Sequence, residues 1–463
     1  MTRTSKIACA LALIVSACGN PTEDRQGPEL MLLISSDTLR ADRLGAYGSD
    51  RGLTPNLDGL ASEGTVFECA YAPASFTVPS VSTILSGRYP TQNAIISNEH
   101  ALPLGVTTIA QELRASGFAT GAVVSNWVLR RQTGLDRGFD EYDDRMQDRE
   151  KVRSAPERLA PDTTRDALAC LDRLRGAGDR MFLWVHYQDP HGPYTPPAQL
   201  FERSLREERG RPGADRKLAF GKDHRGLGAI PTYQRMGDYR RVGRYLAAYH
   251  AEIRYMDLEL GRLLDGVRER GLYDDAWIVF VADHGEGLGE DDYWFAHGEY
   301  LSDALVRVPL MIRRPGADPA RRTDVVSLAD LMPTLLSTSG SEVPPGLPGR
   351  DLFATGAREH SSQVLLATLK GATVARFGLV HGGHKYIATY DAKGAVSREE
   401  LYRLNGEGAD LASTSPDDLV AFRAELARTM ERFQPGQAGV QQELNDEARR
   451  ALEALGYGGG SDD

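Results

Sequence analysis

Four short runs of consecutive apolar residues constrain the fold of this chain more than any other feature. The runs cover residues 30–34, 122–124, 181–185 and 277–281. A strand that is apolar at every position is buried on both faces, which is typical of a parallel sheet covered by helices. Helical periodicity over residues 249–270, just before the fourth run, agrees with this arrangement. The sequence therefore predicts an α/β fold with a largely parallel sheet flanked by helices.

The first 17 residues predict export from the cytoplasm. A basic start precedes an apolar run over residues 7–15, far shorter than the roughly 20 residues of a membrane-spanning helix, which suits a signal peptide. Small residues directly before Cys18 resemble a bacterial lipobox, in which Cys18 carries the lipid and becomes the new N-terminus. An ordinary secretory signal that ends near Cys18 is the alternative. We expect a lipid-anchored protein of the bacterial cell envelope that faces the periplasm or the exterior.

The remaining chain divides into segments of different character. Polar residues 18–29 predict a flexible tether, and residues 30–354 predict the main α/β domain. Within that domain, residues 203–241 are rich in Arg, Asp, Glu and Gly and predict an inserted excursion over one face. Residues 355–455 change to short strands followed by a helix, which predicts a smaller C-terminal α+β subdomain. Residues 456–463 predict a disordered tail.

Charge and cysteine content argue against a nucleic-acid-binding site and against a metal site built from cysteine thiolates. The 463 residues include 54 Lys and Arg against 65 Asp and Glu, a net charge of −11, without a long basic run. This acidic balance argues against nucleic-acid partners. Once Cys9 is assigned to the signal peptide and Cys18 to the lipid anchor, only Cys69 and Cys170 remain. We expect both to be buried and free, with a disulfide as the alternative in an oxidising compartment, and we expect no thiolate metal site.

Polar residues follow the first and fourth apolar runs, at the point where each strand ends. Asp37 comes after the first run, and Asp283 and His284 come after the fourth. Ligands of open α/β sheets bind beyond the carboxyl ends of the strands, where carboxylate and imidazole groups can hold a divalent cation. Taken alone, Asp37 could instead be a helix cap or a turn residue, and Asp283 a cap beside a structural histidine.

A third segment supplies a hydroxyl group. Pro79 suits the first turn of a helix and Gly87 the position just past the last turn, which puts Thr77 at or just before the helix N-terminus. Helix N-termini favour anions, and a hydroxyl beside a metal can ionise and attack an esterified anion. By itself, however, Thr77 has the position of an ordinary N-cap threonine.

These three segments, in this order, resemble the sulfatase family of the alkaline phosphatase superfamily. The resemblance covers nearly all of the chain from residue 30 to about residue 435. It implies an ester hydrolase with a central mixed sheet flanked by helices and a small C-terminal sheet-and-helix subdomain. Six further motifs carry it: Arg40-Ala41-Asp42-Arg43-Leu44-Gly45-Ala46-Tyr47-Gly48, Asp189-Pro190-His191-Gly192-Pro193-Tyr194, Phe295-Ala296-His297-Gly298, Val308-Pro309-Leu310, Asp330-Leu331-Met332-Pro333-Thr334 and Glu400-Leu401-Tyr402-Arg403-Leu404.

The chain departs from this family at the nucleophile. Sulfatases carry Cys or Ser, any residue, and then Pro-Ser-Arg, and the first residue is oxidised to formylglycine. This chain has Thr77-Val78-Pro79-Ser80-Val81, and an oxidised threonine would be a ketone rather than an aldehyde. Three other family positions have changed: a Lys-Trp-His segment is Asn126-Trp127-Val128, the second metal Asp is Thr38, and a late Lys is His297. These changes resemble the branch with an unmodified threonine nucleophile that acts on phosphoryl groups, so no formylglycine is expected.

The resemblance implies one divalent cation at the ends of the strands. Asp37, Thr77, Asp283 and His284 would hold it, and its identity (Zn, Mn, Ca or Mg) stays open. The cation would lower the pKa of the Thr77 hydroxyl. Thr77 would then attack phosphorus and form a phosphothreonine intermediate that water hydrolyses.

Three further side chains are expected to contact the ester. Asn126 would donate to a non-bridging oxygen, while His191 and His297 would protonate the leaving group or contact the oxyanion. For His191 and His297 the alternative is a structural histidine in a loop.

The expected function is hydrolysis of phosphate mono- or diesters in a small-molecule, lipid or glycan substrate, by an enzyme held at the membrane through its lipid anchor. Three alternatives remain open. They are a sulfuric ester hydrolase of the arylsulfatase type, a phosphoryl or headgroup transferase, and a non-catalytic lipoprotein that binds an anion or a glycan.

Overall fold

The four apolar runs all lie in one large sheet. The computed structural model describes residues 27–149, 156–354, 363–368, 375–391, 393–404, 408–434, 436, 440–442 and 450. The predicted signal peptide, Cys18, most of the tether and the predicted tail lie outside the described residues. The central sheet has eight strands, which are β1 Leu30–Ser36, β2 Thr65–Tyr71, β3 Ala119–Val124, β4 Glu141–Asp143, β5 Met181–Tyr187, β6 Trp277–Ala282, β7 Arg307–Arg313 and β8 Ala320–Ser327.

The strands follow the order β8-β2-β7-β6-β1-β5-β3-β4 across this sheet. Strand β7 runs antiparallel to its neighbours β6 and β2, and all other neighbouring pairs are parallel. The prediction of a mixed, largely parallel sheet is therefore confirmed. The middle strands β1 and β5 are buried at every position, which explains why their sequences are apolar almost throughout.

Helices flank the sheet, and the longest of them begins earlier than predicted. Helix α7 starts at Val242 rather than at residue 249. Glycine is unfavourable inside a helix, and Gly243 lies in the first turn of α7. A Cβ at this position would lie 2.8 Å from the Cβ of Ala214, so glycine allows the helix to pack closely against Ala214. The helices are α1 Pro55–Ser62, α2 Thr77–Ser86, α3 Pro90–Asn93, α4 Ile109–Ala115, α5 Ala160–Ala177, α6 Ala198–Glu208, α7 Val242–Glu269, α8 Asp303–Val306, α9 Leu331–Ser339 and α10 Pro416–Arg432.

The predicted excursion, residues 203–241, contains the end of α6 and a short ribbon that pairs Ala219–Phe220 with Ala229–Ile230. A single 3-10 turn over Thr232–Gln234 follows the ribbon. Within this turn, Tyr233 OH donates to Phe295 O at 2.9 Å. The excursion therefore packs on the segment that leads to His297.

The C-terminal part of the chain is a four-stranded antiparallel sheet with helix α10. Its strands, in spatial order, are β9 Gln363–Thr368, β10 Ala375–His381, β11 His384–Tyr390 and β12 Val396–Arg403. Val380 and Ile387 pack in one apolar cluster with Leu301, Leu305 and Val306 of the main domain. This cluster joins the small sheet to the α8 region.

Two smaller points concern the cysteines and the membrane. Cys69 and Cys170 are both buried, and neither is in a disulfide among the described residues, as the sequence predicts. Among the described residues, every helix is too short or too polar to cross a bilayer.

Candidate active site

Two carboxylates meet because their strands are neighbours in the sheet. Strands β1 and β6 pair in parallel with Ser36 opposite Ala282, and the N–H of Asp283 donates to Ser36 O at 3.1 Å. Asp37 and Asp283 therefore leave the sheet side by side, and His284 is the next residue in the chain. The side chains of Asp37, Asp283 and His284 are fully buried. One ligand atom from each lies within 4.8 Å of the other two.

His284 presents one imidazole nitrogen to these carboxylates. Its Nδ1 lies 2.9 Å from Gly285 O, and because a carbonyl oxygen only accepts, Nδ1 carries the proton. The Nε2 lone pair then faces Asp37 Oδ1 at 3.5 Å and Asp283 Oδ2 at 3.7 Å. Among the described residues, neither of these two buried oxygens has a hydrogen-bond partner. Unpaired carboxylate oxygens that converge with an imidazole lone pair are the ligand set of a divalent cation.

Without a bound cation, burial makes the charged forms of Asp37, Asp283 and His284 unfavourable. Burial, reinforced by the charge of Asp283, raises the pKa of Asp37 well above its ordinary value. Burial also raises the pKa of Asp283 to about 8 and lowers the pKa of His284. A cation would oppose the shifts of both carboxyl groups, since it stabilises their ionised forms. The side chains therefore fit the metal that the sequence predicts.

Thr77 joins this cluster through its side chain. It is the first residue of α2, and Phe76 is the N-cap residue, so the alternative of an N-cap threonine is wrong. Its Oγ1 lies 3.3 Å from His284 Nε2, and the Thr77 side chain opposes the rise in the pKa of Asp37. A hydroxyl group, two carboxylates and an imidazole therefore share one buried space.

The N-terminus of α2 offers fewer N–H donors than an ordinary helix. The N–H of Val78 donates to Asn98 Oδ1 at 2.9 Å, and Pro79 has no N–H. Ser80 Oγ donates to Asp283 O at 2.6 Å, which ties the helix to the loop after β6. These contacts hold Thr77 in position, and anion binding at the start of the helix stays a prediction.

The other predicted residues surround the cluster in different ways. Asn126 Nδ2 donates to Asp37 Oδ2, so Asn126 orients a carboxylate, and its donation to the substrate stays a prediction. The ring centre of His297 lies 4.6 Å from that of His284 and 5.1 Å from that of His191. The fold therefore brings both loop histidines to the edge of the cluster.

Glu286 is a part of the site that the sequence analysis did not single out. It is fully buried, and its Oε1 lies 3.2 Å from His297 Nδ1. Its Oε2 accepts a hydrogen bond from Tyr194 OH at 3.1 Å. Glu286 thus connects His297 to the loop that contains His191. In the sequence, Glu286 could have been found from its position two residues after His284, in the same turn.

The turn after β1 adopts a strained backbone conformation. Thr38 has a φ of 58°, which is rare for a β-branched residue. Its N–H donates to Asp283 Oδ1 at 3.3 Å, and its carbonyl oxygen accepts from Tyr249 OH at 2.8 Å. Strain of this kind persists where the surroundings enforce it, which is common at functional sites. Here the turn holds the Asp37 carboxylate at the end of the sheet.

Residues 29–341 match the protein-family model described as Sulfatase. The chain belongs to the sulfatase family. Members of the sulfatase family are hydrolases of the alkaline phosphatase superfamily and generally use a divalent metal, in agreement with the Asp37, Asp283 and His284 cluster. The protein is therefore a sulfatase-family hydrolase.

Individual relatives include enzymes that act on different esters. The chain is 26% identical to Iduronate 2-sulfatase of Homo sapiens, over 75% of this chain and 76% of that protein. A crystallised protein in complex with its substrate D-Glucosamine-2-N, 6-O-disulfate has a TM-score of 0.73 at 17% identity, covering 88% of this chain and 98% of the other. Phosphonate monoester hydrolase from Silicibacter pomeroyi has a TM-score of 0.68 at 21% identity, covering 90% and 99%. At these identities, the two structures share the fold with this chain.

Proposed function

We propose that this protein is a metal-dependent phosphoesterase in which unmodified Thr77 is the nucleophile. The observation that carries the proposal is the 3.3 Å distance between Thr77 Oγ1 and the unprotonated Nε2 of His284, next to two buried carboxylates. Threonine cannot be converted to formylglycine, whereas its hydroxyl group beside a cation site can attack a phosphoryl group directly. The neighbour named as a phosphonate monoester hydrolase supports phosphoryl chemistry on this fold.

The proposed reaction proceeds in two displacements at phosphorus. A bound divalent cation, held by Asp37, Asp283 and His284, would neutralise charge on the phosphoryl group and favour the ionised Thr77 side chain. The Thr77 oxygen attacks phosphorus as the bond to the leaving oxygen breaks, and His191 or His297 donates a proton to that oxygen. A water molecule then attacks phosphorus as the bond to the Thr77 oxygen breaks, and one proton of this water passes to the Thr77 oxygen. The histidine regains a proton equivalent to the one that Thr77 released in the first displacement.

The charges of the site favour a singly charged ester. Two aspartates and one divalent cation sum to zero. Arg40, which donates to Glu286 O, is already paired with Asp42 and Glu290. A phosphomonoester dianion needs more positive charge than this set supplies, because each added charge must be compensated in a buried site. We therefore propose phosphodiesters or phosphonate monoesters ahead of phosphomonoesters.

A comparison of four 4-nitrophenyl esters tests this proposal. The phosphodiester, phosphonate monoester, phosphomonoester and sulfate ester share one leaving group, and each is assayed with zinc, manganese, calcium and magnesium in turn. We expect the highest kcat/KM for the phosphodiester or the phosphonate. Faster turnover of the sulfate ester with every metal would contradict the proposal.

Sulfate ester hydrolysis is the second candidate, and the family match together with the named relative Iduronate 2-sulfatase favours it. Mass spectrometry of the intact protein and of its proteolytic peptides, after a short pulse of phosphonate ester, separates the two candidates further. A phosphonyl adduct on the peptide that contains Thr77 supports the first candidate. Oxidation of that peptide before any substrate is added would favour a modified nucleophile instead.

We also propose that the mature protein is a lipoprotein anchored through Cys18 in the bacterial cell envelope. The support is the basic and apolar leader with small residues directly before Cys18. An anchored hydrolase would meet lipid or glycan esters at the membrane surface.

A further inference from the structure

The segment over residues 188–195, which we call the β5 loop, follows strand β5 and contains His191. Its first half is held at the end of the sheet, where Ser36 Oγ donates to Asp189 O at 2.8 Å. The N–H of His191 donates to Gln188 O at 2.9 Å, which closes a tight turn. The backbone before His191 is therefore fixed by the end of β1 and by the turn itself.

A buried carboxyl group of helix α7 holds the second half of this loop. The N–H of Thr195 donates to Glu252 Oε1 at 2.6 Å, and Glu252 is 6% exposed. The Glu252 carboxyl group also interacts with that of Asp189, and both residues line one cavity of about 20 Å³. A cavity of this size has room for about one water molecule, so the two carboxyl groups act on the loop rather than on a substrate. Glu252 thus interacts with the β5 loop on both sides of His191.

The groups around this carboxyl pair do not balance its charge. Arg158 lines the same cavity, but its guanidinium group donates to Asp143 and Asp166. Among the described residues, the other titratable groups that face the pair come from the segment before α5, from β5, from the β5 loop and from α7: Glu157, Tyr187, His191, Tyr255 and Glu259. Two of them are further carboxyl groups. Ionisation of both members of the pair would therefore place two repelling charges in a buried site.

The two carboxyl groups lose their protons at different pH. Burial raises the pKa of Glu252 well above its ordinary value, and the charge of Asp189 adds to this rise. Burial also raises the pKa of Asp189, to about 6. Coupled carboxyl groups titrate in two steps, and here Asp189 ionises first. Glu252 therefore keeps its proton at a pH where Asp189 is already charged.

We propose that Glu252 is a positioning residue for His191, and that its protonated carboxyl group donates to the Asp189 carboxylate while it accepts from Thr195. The single proton converts two repelling charges into a charge-assisted hydrogen bond that spans the β5 loop. Loss of this proton would loosen the loop and move His191 away from the leaving group. The inference rests on the proposed function for its consequence in catalysis, whereas the link itself is a property of the folded protein.

This link fixes the direction of a pH effect on the β5 loop. The closed loop holds the Glu252 proton more tightly than an open loop, in which Glu252 would have an ordinary pKa. Opening therefore becomes more favourable as the pH rises toward the pKa of the closed state, by up to about tenfold per pH unit. Above about pH 6.5 Asp189 is mostly ionised, so within the pair Glu252 alone causes the change.

Hydrogen exchange of the β5 loop, followed by mass spectrometry of its peptides at pH 6.5 and pH 8.5, tests the link without a substrate. After correction for the intrinsic chemical rate, we expect exchange of the native loop to rise at least about tenfold between the two pH values. In Glu252→Gln the amide keeps both hydrogen bonds and cannot titrate, so the rise should stay within about twofold.

The matched control is Asp257→Asn. It neutralises another buried carboxyl group of α7, one that accepts from the N–H of Leu57 rather than from the β5 loop. Its exchange should rise with pH as in the native protein. Two results would overturn the proposal: an equal rise in Glu252→Gln and in the native protein, or native exchange that is the same at both pH values.

Turnover of the phosphodiester tests the consequence for His191. We expect Glu252→Ala to lower kcat more than about tenfold with a smaller change in KM, and Glu252→Gln to restore most of this loss. Equal kcat in Glu252→Ala and the native protein would show that the link does not position His191. If thermal unfolding shows that Glu252→Ala is not folded, the exchange of Glu252→Gln decides the question. If the four-ester assay finds no turnover, the proposed function is rejected and the exchange measurement still decides whether the link exists.

Discussion

At the scale of single residues, the site depends on which nitrogen of His284 carries the proton. The Gly285 carbonyl oxygen accepts from Nδ1, so the Nε2 lone pair faces Thr77 and the two carboxylates. Asn126 holds the other oxygen of Asp37. Each group in the cluster is therefore oriented by a neighbour that does not react, which keeps the reacting atoms in place.

Replacement of Thr77 tests its role as nucleophile. We expect Thr77→Ala to lower kcat for the 4-nitrophenyl phosphodiester at least about a thousandfold, because the attacking oxygen is lost. Thr77→Ser keeps that oxygen and should retain turnover within about tenfold to a hundredfold. The control is Thr83→Ala, which removes another buried hydroxyl from the same helix, one that donates to Pro79 O. Equal rates for Thr77→Ala and the native protein would remove Thr77 from the mechanism.

Replacement of Asp283 tests the cation site without an activity assay. We expect manganese or zinc to raise the melting temperature of the native protein, since a ligand at 100 times its Kd stabilises the folded state by about 2.7 kcal/mol. In Asp283→Asn this increase should disappear. The chelator-treated variant should melt no lower than the chelator-treated native protein, because one of two adjacent buried carboxylates has been neutralised. An unchanged metal response in Asp283→Asn would contradict the assignment of this ligand.

At the scale of secondary-structure elements, helix α2 and the segment of His297 position each other. Gly87 ends α2 with a φ of 64°, as the sequence predicts for a helix C-terminus. Gly298 has a φ of 95°, and a Cβ at this position would lie 2.5 Å from the ring of Phe76, the N-cap residue of α2. The close approach of this glycine therefore sets the distance between His297 and the start of the helix.

Gly298→Ala should separate backbone strain from misplacement of the site. The substitution costs roughly 1–2 kcal/mol for the left-handed backbone, and the contact with Phe76 should also displace α2 and lower kcat more than tenfold. Gly316→Ala is the matched control, since Gly316 has a φ of 65° with open space around its Cβ position. Both variants are compared by thermal unfolding and by phosphodiester turnover. Equal activity of the two variants would show that the contact with Phe76 does not position the site.

Half of the strands of the central sheet were predicted from the sequence. These strands are buried and therefore apolar, whereas the strands that were missed contain polar residues or proline. Strands β1, β3, β5 and β6 contain the four predicted apolar runs. Strand β8 at the edge of the sheet is mostly exposed or half-buried, so its sequence is polar, and β7 contains Pro309 and has an arginine at each end. Strand β2 includes Glu68 and Cys69 within an otherwise buried segment. Such sequences are recognised as strands only once their partners in the sheet are known.

At the scale of the whole molecule, charge is distributed unevenly. The segment 203–244 is strongly positive within an acidic chain, and it packs on the segment that leads to His297 through Tyr233. A positive region beside the reacting centre would attract acidic substrates at a rate that falls with added salt. Anchoring at a membrane would further limit which substrates the enzyme meets.

The anchoring proposal is tested by cell fractionation. We expect the native protein in the membrane fraction and Cys18→Ser in the soluble fraction, because serine offers no thiol for the lipid. Cys9→Ser is the matched control, since Cys9 lies within the apolar run of the leader and should leave anchoring unchanged. Membrane association of Cys18→Ser equal to that of the native protein would reject the lipid anchor.

The sequence by itself determined the type of fold and the chemical groups, because continuous apolar runs indicate buried parallel strands and polar residues at their ends indicate a ligand site. It indicated Asp37, Thr77, Asp283 and His284 from local pattern and family resemblance. Only the tertiary structure decided that Asn126 contacts Asp37 and that Glu286 contacts His297. Those contacts join residues distant in sequence, and their distances depend on strand order and helix packing rather than on local pattern.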